Sequence, residues 1–293
     1  MTNPPSNAPA IGLMLLAVAL FALMDAGLKL LAPHYPPLQV AALRGLASLP
    51  LVLAWVALTA TLASLLRVRW ALHLLRGLLG IGMMVGFVYG LRTLPLSGAY
   101  AIAFVAPLLV TAMAGPLLGE HVGRRRWTAI AIGLVGVLVV LRPSGDGLAS
   151  AGGLAILAAA ACYAVGAITV RMLARTDSSQ AMVLWFLVLL SAGAGVLAAP
   201  HWVPLQASHG WVIAAVGLFG SLAQVALTEA FRRGEASLIA PLEYTALVWA
   251  ISLDLALWGV LPDQVTWLGA AIIIASGLYL LVREKALAGA SSS

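Results

Sequence analysis

The sequence predicts an all-α membrane protein of ten transmembrane helices, built as two inverted-topology repeats of five, with both termini in the cytoplasm. Three observations predict it: a composition too apolar for a soluble core, ten apolar runs of spanning length, and a hydropathy profile that repeats at a fixed offset. Hydrophobic residues make up 62% of the 293 residues and charged residues 9%, with a mean hydropathy of +1.05. Soluble domains carry about 25% charged and roughly 45–50% apolar residues, so lipid is the expected solvent. The net charge of +6 is not a nucleic-acid footprint, because the basic residues lie between apolar runs. The single cysteine, Cys162, sits inside an apolar run and excludes a disulfide framework and any multi-thiolate metal site.

Residues 1–10 are polar, proline-rich and uncharged, which reads as a mobile tail. They lack the basic start of a signal peptide, so the first helix is expected to stay in the mature protein. Apolar runs of membrane-spanning length follow. In the first half they are Ile11–Leu31, Gln39–Leu58, Trp70–Leu91, Ala99–Leu118 and Trp127–Leu141. In the second they are Gly152–Ala174, Ala181–Ala199, Trp211–Phe231, Leu238–Val260 and Val265–Val282. The expected organisation is a tail (1–10), a first repeat (11–143), a second repeat (149–283) and a C-terminal tail (284–293). Loops are short, and the turns at His34–Pro37 and Pro200–Trp202 read as interfacial.

The repeat is visible when Tyr89–Pro143 is moved forward by 140 positions onto Glu229–Arg283. Arg92 then falls on Arg232, Ser97 on Ser237, Gly119 on Gly259, Trp127 on Trp267 and Ile132 on Ile272. With the N-terminus inside, inner loops and ends hold eleven basic residues: Arg67, Arg69, Arg124, Arg125, Arg126, Arg171, Arg175, Arg232, Arg233, Arg283 and Lys285. Outer ends hold only three, Lys29, Arg92 and Arg142. That asymmetry predicts cytoplasmic termini. Five spans is an odd number, so the second copy enters the membrane from the opposite face. Inverted repeats of this kind recur in secondary transporters, with the site at the repeat interface.

Several stretches carry a family resemblance: AALRGLASLPL, YGLRTLPLSGAYAIAFVAPLL with LLGEHVGRRRW after it, GLVGVLVVLRP, EAFRRGEASLIAPLEYTALVWA and WLGAAIIIASGLYLLVRE. In this order and spacing the chain resembles the EamA-type transporters of the drug/metabolite transporter superfamily over nearly its whole length. The resemblance implies an inverted five-plus-five bundle with a central cavity, moving small metabolites across a bacterial inner membrane without ATP. Relatives of that type include amino-acid exporters and uptake carriers for riboflavin or S-adenosylmethionine. Export of small metabolites, foremost amino acids, by alternating access is the first expectation. Uptake of riboflavin, S-adenosylmethionine or a similar metabolite is the second. Where the first copy has Gly119-Glu120 the second has Gly259-Val260, so Glu120 is expected to be structural, facing Arg124 to Arg126.

Ionisable groups at membrane depth cost at least ~2.5–3.5 kcal/mol each on insertion scales and are functional candidates by default. Asp25 and Lys29 stand at i and i+4 on the first helix, share a face and can pair, and Arg44 enters from the same outer side. These three form either a structural ion-pair cluster or an outer gate that anchors a carboxylate. Arg76 and Glu229 lie toward the cytoplasmic end and are expected to snorkel. Glu243 follows Pro241, a residue that bends helices where they line cavities, and brings Tyr244 and Trp249 with it.

The substrate is expected between the repeats, against Met83 and Phe87, Tyr100 and Phe104, Tyr163, Gln224, Glu243 and Tyr244. Tyr100 and Phe104 are one turn apart, as are Met83 and Phe87, so each pair makes a wall, and Pro107 and Pro241 mark bends. Gly82, Gly86 and Gly90 form a small-residue stripe for close helix contact. Trp70, Trp127, Trp202, Trp211 and Trp267 mark helix starts and turns, as an interfacial belt does. No hydrolase, zinc or P-loop motif is present, so neither an enzyme nor direct ATP drive is expected. No cofactor and no metal are expected. The partners are a small-molecule substrate and the bilayer, not nucleic acid, and the chain acts as a monomer or weak homodimer. No relay of facing carboxylates and histidines can be read, so facilitated diffusion or weak proton linkage is the expected mode.

Overall fold

The structure is a computed structural model that describes residues 8–118, 124–141, 150–233, 240–272 and 274–276. Among these residues every regular element is helical: α1 (Ala8–Leu31), α2 (Pro37–Thr59), the short α3 (Leu62–Leu66), α4 (Trp70–Leu91), α5 (Leu96–Ala103), α6 (Val105–Leu118), α7 (Arg124–Leu141), α8 (Ala151–Leu173), α9 (Ser179–Ala198), α10 (Gly210–Arg233) and α11 (Ala246–Trp258). A last helix, Gln264–Ser276, follows. Six of the helices are long and apolar enough to cross a membrane, beginning at Pro9, Pro37, Trp70, Ala151, Ser179 and Ala207. The helix ends have local causes. Pro37 opens α2 at a position where its missing N–H costs nothing. Ser150 and Ser178 cap α8 and α9 by accepting from Gly153 N and Ala181 N, at 3.1 and 3.2 Å. Gly259 ends α11 in the left-handed region, at φ 64°.

Two expected helices are broken. The run Ala99–Leu118 divides at Phe104 into α5 and α6, because Pro107 has no N–H to offer the Ala103 carbonyl. The run Leu238–Val260 becomes a 3-10 turn, Ala240–Thr245, before α11 begins. The short α3 was not expected; it occupies the loop before Trp70, where Trp185 Nε1 donates to the Leu65 carbonyl at 2.8 Å. Glu120 and His121 lie outside the described residues, as do Ser237, Arg142, Arg283 and Lys285.

Packing is chiefly between the two halves of the chain: α1 lies on α10, α4 on α8 and α2 on α9. If α1, α2 and α4 are matched with α8, α9 and α10, the first two pairings exchange and the third maps onto itself. The glycine stripe makes the α4–α8 contact. A Cβ on Gly86 would stand 2.6 Å from the Ala155 carbonyl oxygen, and one on Gly90 3.0 Å from the Gly152 carbonyl. Only glycine allows that backbone approach. At one end of the bundle the two turns read as interfacial are tied together. Gln39 exchanges hydrogen bonds with Val203 at 2.7 and 2.9 Å, and Tyr35 Oη bonds His209 Nδ1 at 2.9 Å and accepts from Gln206 N at 3.0 Å. Trp70, Trp127, Trp202, Trp211 and Trp267 are all exposed on the protein surface.

Candidate functional site

A chain of four rings crosses from the first half to the second. Phe87 of α4 lies 6.1 Å from Tyr100 of α5 between centroids, and Tyr100 lies 6.3 Å from Phe104. Phe104 meets Tyr244, on the turn before α11, edge-on at 5.2 Å. These are the spacings at which aromatic pairs attract beyond their buried area. The break after α5 supports this arrangement, since it leaves Phe104 at the corner between two helices, facing the second half.

Two carboxyl groups, Asp25 buried and Glu243 half-buried, meet phenols beside this chain. Tyr100 Oη donates to Asp25 Oδ2 of α1 at 2.5 Å. Tyr163 Oη of α8 donates to Glu243 Oε1 at 2.9 Å. The two pairs correspond under the matching of the halves, but with roles exchanged. The first half puts the acid on its first helix and the phenol on its fourth; the second half does the reverse. In a low-dielectric interior each such bond is strengthened, and each unpartnered polar atom is costly. The ring chain carries such an atom: Tyr244 Oη is buried with no hydrogen-bond partner among the described residues.

The structure thus brings together six of the eight residues expected at the substrate: Phe87, Tyr100, Phe104 and Tyr244 in the ring chain, and Tyr163 with Glu243 beside it. Met83 is half-buried against the same core, one turn before Phe87. Gln224 is buried on α10, and its side-chain amide makes no hydrogen bond among the described residues. Trp249 points elsewhere and is exposed.

The expected outer cluster is corrected. Lys29 does not pair with Asp25. Its Nζ reaches Asp254 Oδ1 of α11 at 2.8 Å and sits 4.0 Å over the Trp258 ring. Asp254 is fully buried and also accepts from Leu96 N at 3.1 Å, Ser97 N at 2.7 Å and Ser97 Oγ at 2.7 Å. It therefore caps α5 and fastens α1, α5 and α11 together. Asp25 is left to Tyr100, and Arg44 turns its Nε to Met24 Sδ at 3.1 Å. Arg76 does not snorkel: it is 5% exposed and donates to the Met182 carbonyl at 2.6 Å. Glu229 pairs with Arg233 at 3.0 Å on the surface.

On the side of the bundle opposite the Lys29 contact, the buried His73 donates from Nε2 to Asp177 Oδ2 at 2.9 Å. Burial pushes the Asp177 carboxyl up. Hydrogen bonds from Thr176 Oγ1, His73 and Arg69 N outweigh it and hold the group below the usual carboxylate range. Among the described residues no group of His, Cys, Asp and Glu is arranged to hold a metal ion.

Residues 8–142 and 150–283 each match the EamA-like transporter family. The chain belongs to that family. This EamA-like protein is a multi-pass membrane transporter of the drug/metabolite type. It is 32% identical over 214 residues to a riboflavin transporter of Rhizobium johnstonii, covering 72% of this chain and 70% of the relative. It is 27% identical over 213 residues to an S-adenosylmethionine uptake transporter of Rickettsia conorii, covering 73% of this chain and 72% of that one. A solved crystal structure of a protein 21% identical in sequence superposes with a TM-score of 0.71, over 96% of this chain and 99% of the other. That likeness shows the fold.

Proposed function

We propose that this EamA-like protein takes up a flat heteroaromatic metabolite of the riboflavin or S-adenosylmethionine class across a bacterial inner membrane. Transport runs by alternating access through a site between two inverted five-helix repeats. The observation that carries this reading is the ring chain Phe87–Tyr100–Phe104–Tyr244, which spans the two halves and ends on a phenol with no hydrogen-bond partner among the described residues. Rings at these spacings offer stacking and edge contacts to a planar solute, and the phenol–carboxylate pairs beside them offer polar contacts that fix its orientation. Met83 and Gln224 complete the lining.

The named relatives favour this second expectation over amino-acid export. The ten-span count rests on the ten apolar runs, and the cytoplasmic termini on the eleven-to-three distribution of basic residues. They are supported by the pairings α1–α10, α4–α8 and α2–α9, which a two-fold exchange of the halves preserves. Movement is facilitated or weakly proton-linked. The test is uptake of labelled riboflavin and S-adenosylmethionine into liposomes containing purified protein, beside labelled tryptophan and phenylalanine. Saturable uptake of either ring-bearing metabolite is expected. Saturable movement of the amino acids alone would restore the export reading.

A further inference from the structure

Two guanidinium groups lie inside the bundle with no carboxylate bound to them. Arg44 on α2 and Arg76 on α4 are 2% and 5% exposed, and neither makes an ion pair among the described residues. Arg44 gives its Nε to a thioether, a weak acceptor, and its Nη1 is buried with no hydrogen-bond partner among the described residues. Arg76 gives one nitrogen to the Met182 carbonyl. Both face the same ring: the Cζ atoms of Arg44 and Arg76 lie 6.0 and 4.6 Å from the centroid of Phe186 on α9. Asp25 acts on Arg44 only at a distance, its hydrogen bond being taken up by Tyr100.

An arginine cannot shed its charge by releasing a proton, as a buried lysine does. Among the described residues Arg76 has only a carbonyl and a phenyl face to offset it, and Arg44 a thioether, the same face and the distant Asp25. Two such cations at membrane depth call for a further anion. Their planar forks match a carboxylate, which accepts two parallel N–H bonds from one guanidinium. The connection to the ring chain is short: Met24, the acceptor for Arg44, precedes Asp25, the acceptor for Tyr100.

We infer that Arg44 and Arg76, braced by Phe186, form a subsite for a carboxylate of the transported molecule. The substrate is then a flat heteroaromatic carrying an acid group, as an α-amino-acid head does. This rests on the reading that the ring chain holds the flat part.

The test is binding by the full chain in lipid nanodiscs of two matched pairs that differ only by a carboxylate. One pair is S-adenosylmethionine and its decarboxylated form; the other is tryptophan and tryptamine. The expected result is at least about a tenfold preference for the acid in one pair. Arg44→Met and Arg76→Met should each bring that preference close to one. Without ligand, both variants should melt no lower than the parent, because an apolar side chain removes the cost of an unpaired buried charge. Equal binding within both pairs, no binding of either acid, or a preference that survives both substitutions would overturn the subsite. So would a clear loss of thermal stability in Arg76→Met, which marks the guanidinium as structural. Preference for riboflavin phosphate over riboflavin, with none for the carboxylates, would assign the pair to phosphate and overturn the inference as stated. If riboflavin binds but neither acid does, the subsite falls and the ring-chain reading stands. If tryptophan is preferred over tryptamine while riboflavin and S-adenosylmethionine do not bind, the subsite stands and the proposed substrate class falls.

Discussion

Removing Asp254 should cost more stability than removing its cationic partner. Four donors converge on this carboxylate: Lys29 Nζ at 2.8 Å, Leu96 N at 3.1 Å, Ser97 N at 2.7 Å and Ser97 Oγ at 2.7 Å. Asp254→Ala leaves the lysine uncompensated and strands the first N–H groups of α5, which no side chain of their own helix satisfies. Breaking a buried ion pair by deleting one partner costs about 3–5 kcal/mol, and we expect that range here. Asp254→Asn keeps one acceptor oxygen but loses the charge, and should cost about 1.5–3 kcal/mol, the worth of a hydrogen bond to a charged group. Lys29→Met should also fall in that lower range, because three donors still hold the carboxylate. The measurement is denaturant unfolding in detergent micelles, followed by tryptophan fluorescence. An Asp254→Ala variant within about 1 kcal/mol of the parent would refute the reasoning, since that is the worth of an exposed pair. So would a Lys29→Met variant less stable than Asp254→Ala.

Gly86→Val should destabilise by about 1–3 kcal/mol, as overpacking does, because the new Cβ would stand 2.6 Å from the Ala155 carbonyl oxygen; Gly166→Ala, where a Cβ meets nothing within 4 Å, is the neutral control in the same unfolding assay. The Asp177 carboxyl is held below its unfolded value of about 3.9, so its contribution is complete at pH values well above that figure and disappears as pH falls through the lower folded value. Asp177→Asn should therefore lower the melting temperature at pH 7 and flatten the loss in acid, and identical melting at pH 7 would exclude the effect. Cysteines placed singly in 144–147 and 200–208, in a Cys162→Ser background, should label from outside intact cells; labelling only after permeabilisation would reverse the topology.

Helix positions were legible in the sequence because lipid demands long apolar runs, and the bounds of Trp70–Leu91 agree at both ends. The walls Met83/Phe87 and Tyr100/Phe104 followed from helical spacing, and the bend near Pro107 from proline chemistry. What spacing could not supply was the partner of a charge across a long stretch of chain. Lys29 has a local acid at i−4, yet it takes Asp254, 225 residues away, because α5 presents three further donors there. Phe186 carried no signal in the sequence, and Ser97 stood out only as a position matched between the repeats, not as a partner for Asp254. Arg76 looked close enough to a helix end to reach water, but Met182 and Phe186 hold it inside. The pairing of Tyr163 with Glu243 depends on the 3-10 turn at Ala240–Thr245, a distortion that Pro241 suggested without fixing its register.

The central claim is that substrate sits between the halves, against the ring chain and its phenol–carboxylate pairs. Tyr163→Phe tests it most directly, since it removes one oxygen and keeps the ring. With the Glu243→Gln variant beside it, initial rates of riboflavin and S-adenosylmethionine uptake into liposomes are measured against the parent, at equal amounts of folded protein. At least about a tenfold loss in rate or affinity is expected for one of the two metabolites in both variants, in proportion to a lost hydrogen bond on a charged group. Uptake of both metabolites at the parent's rate and affinity in both variants would contradict the account and place the site on other helix faces.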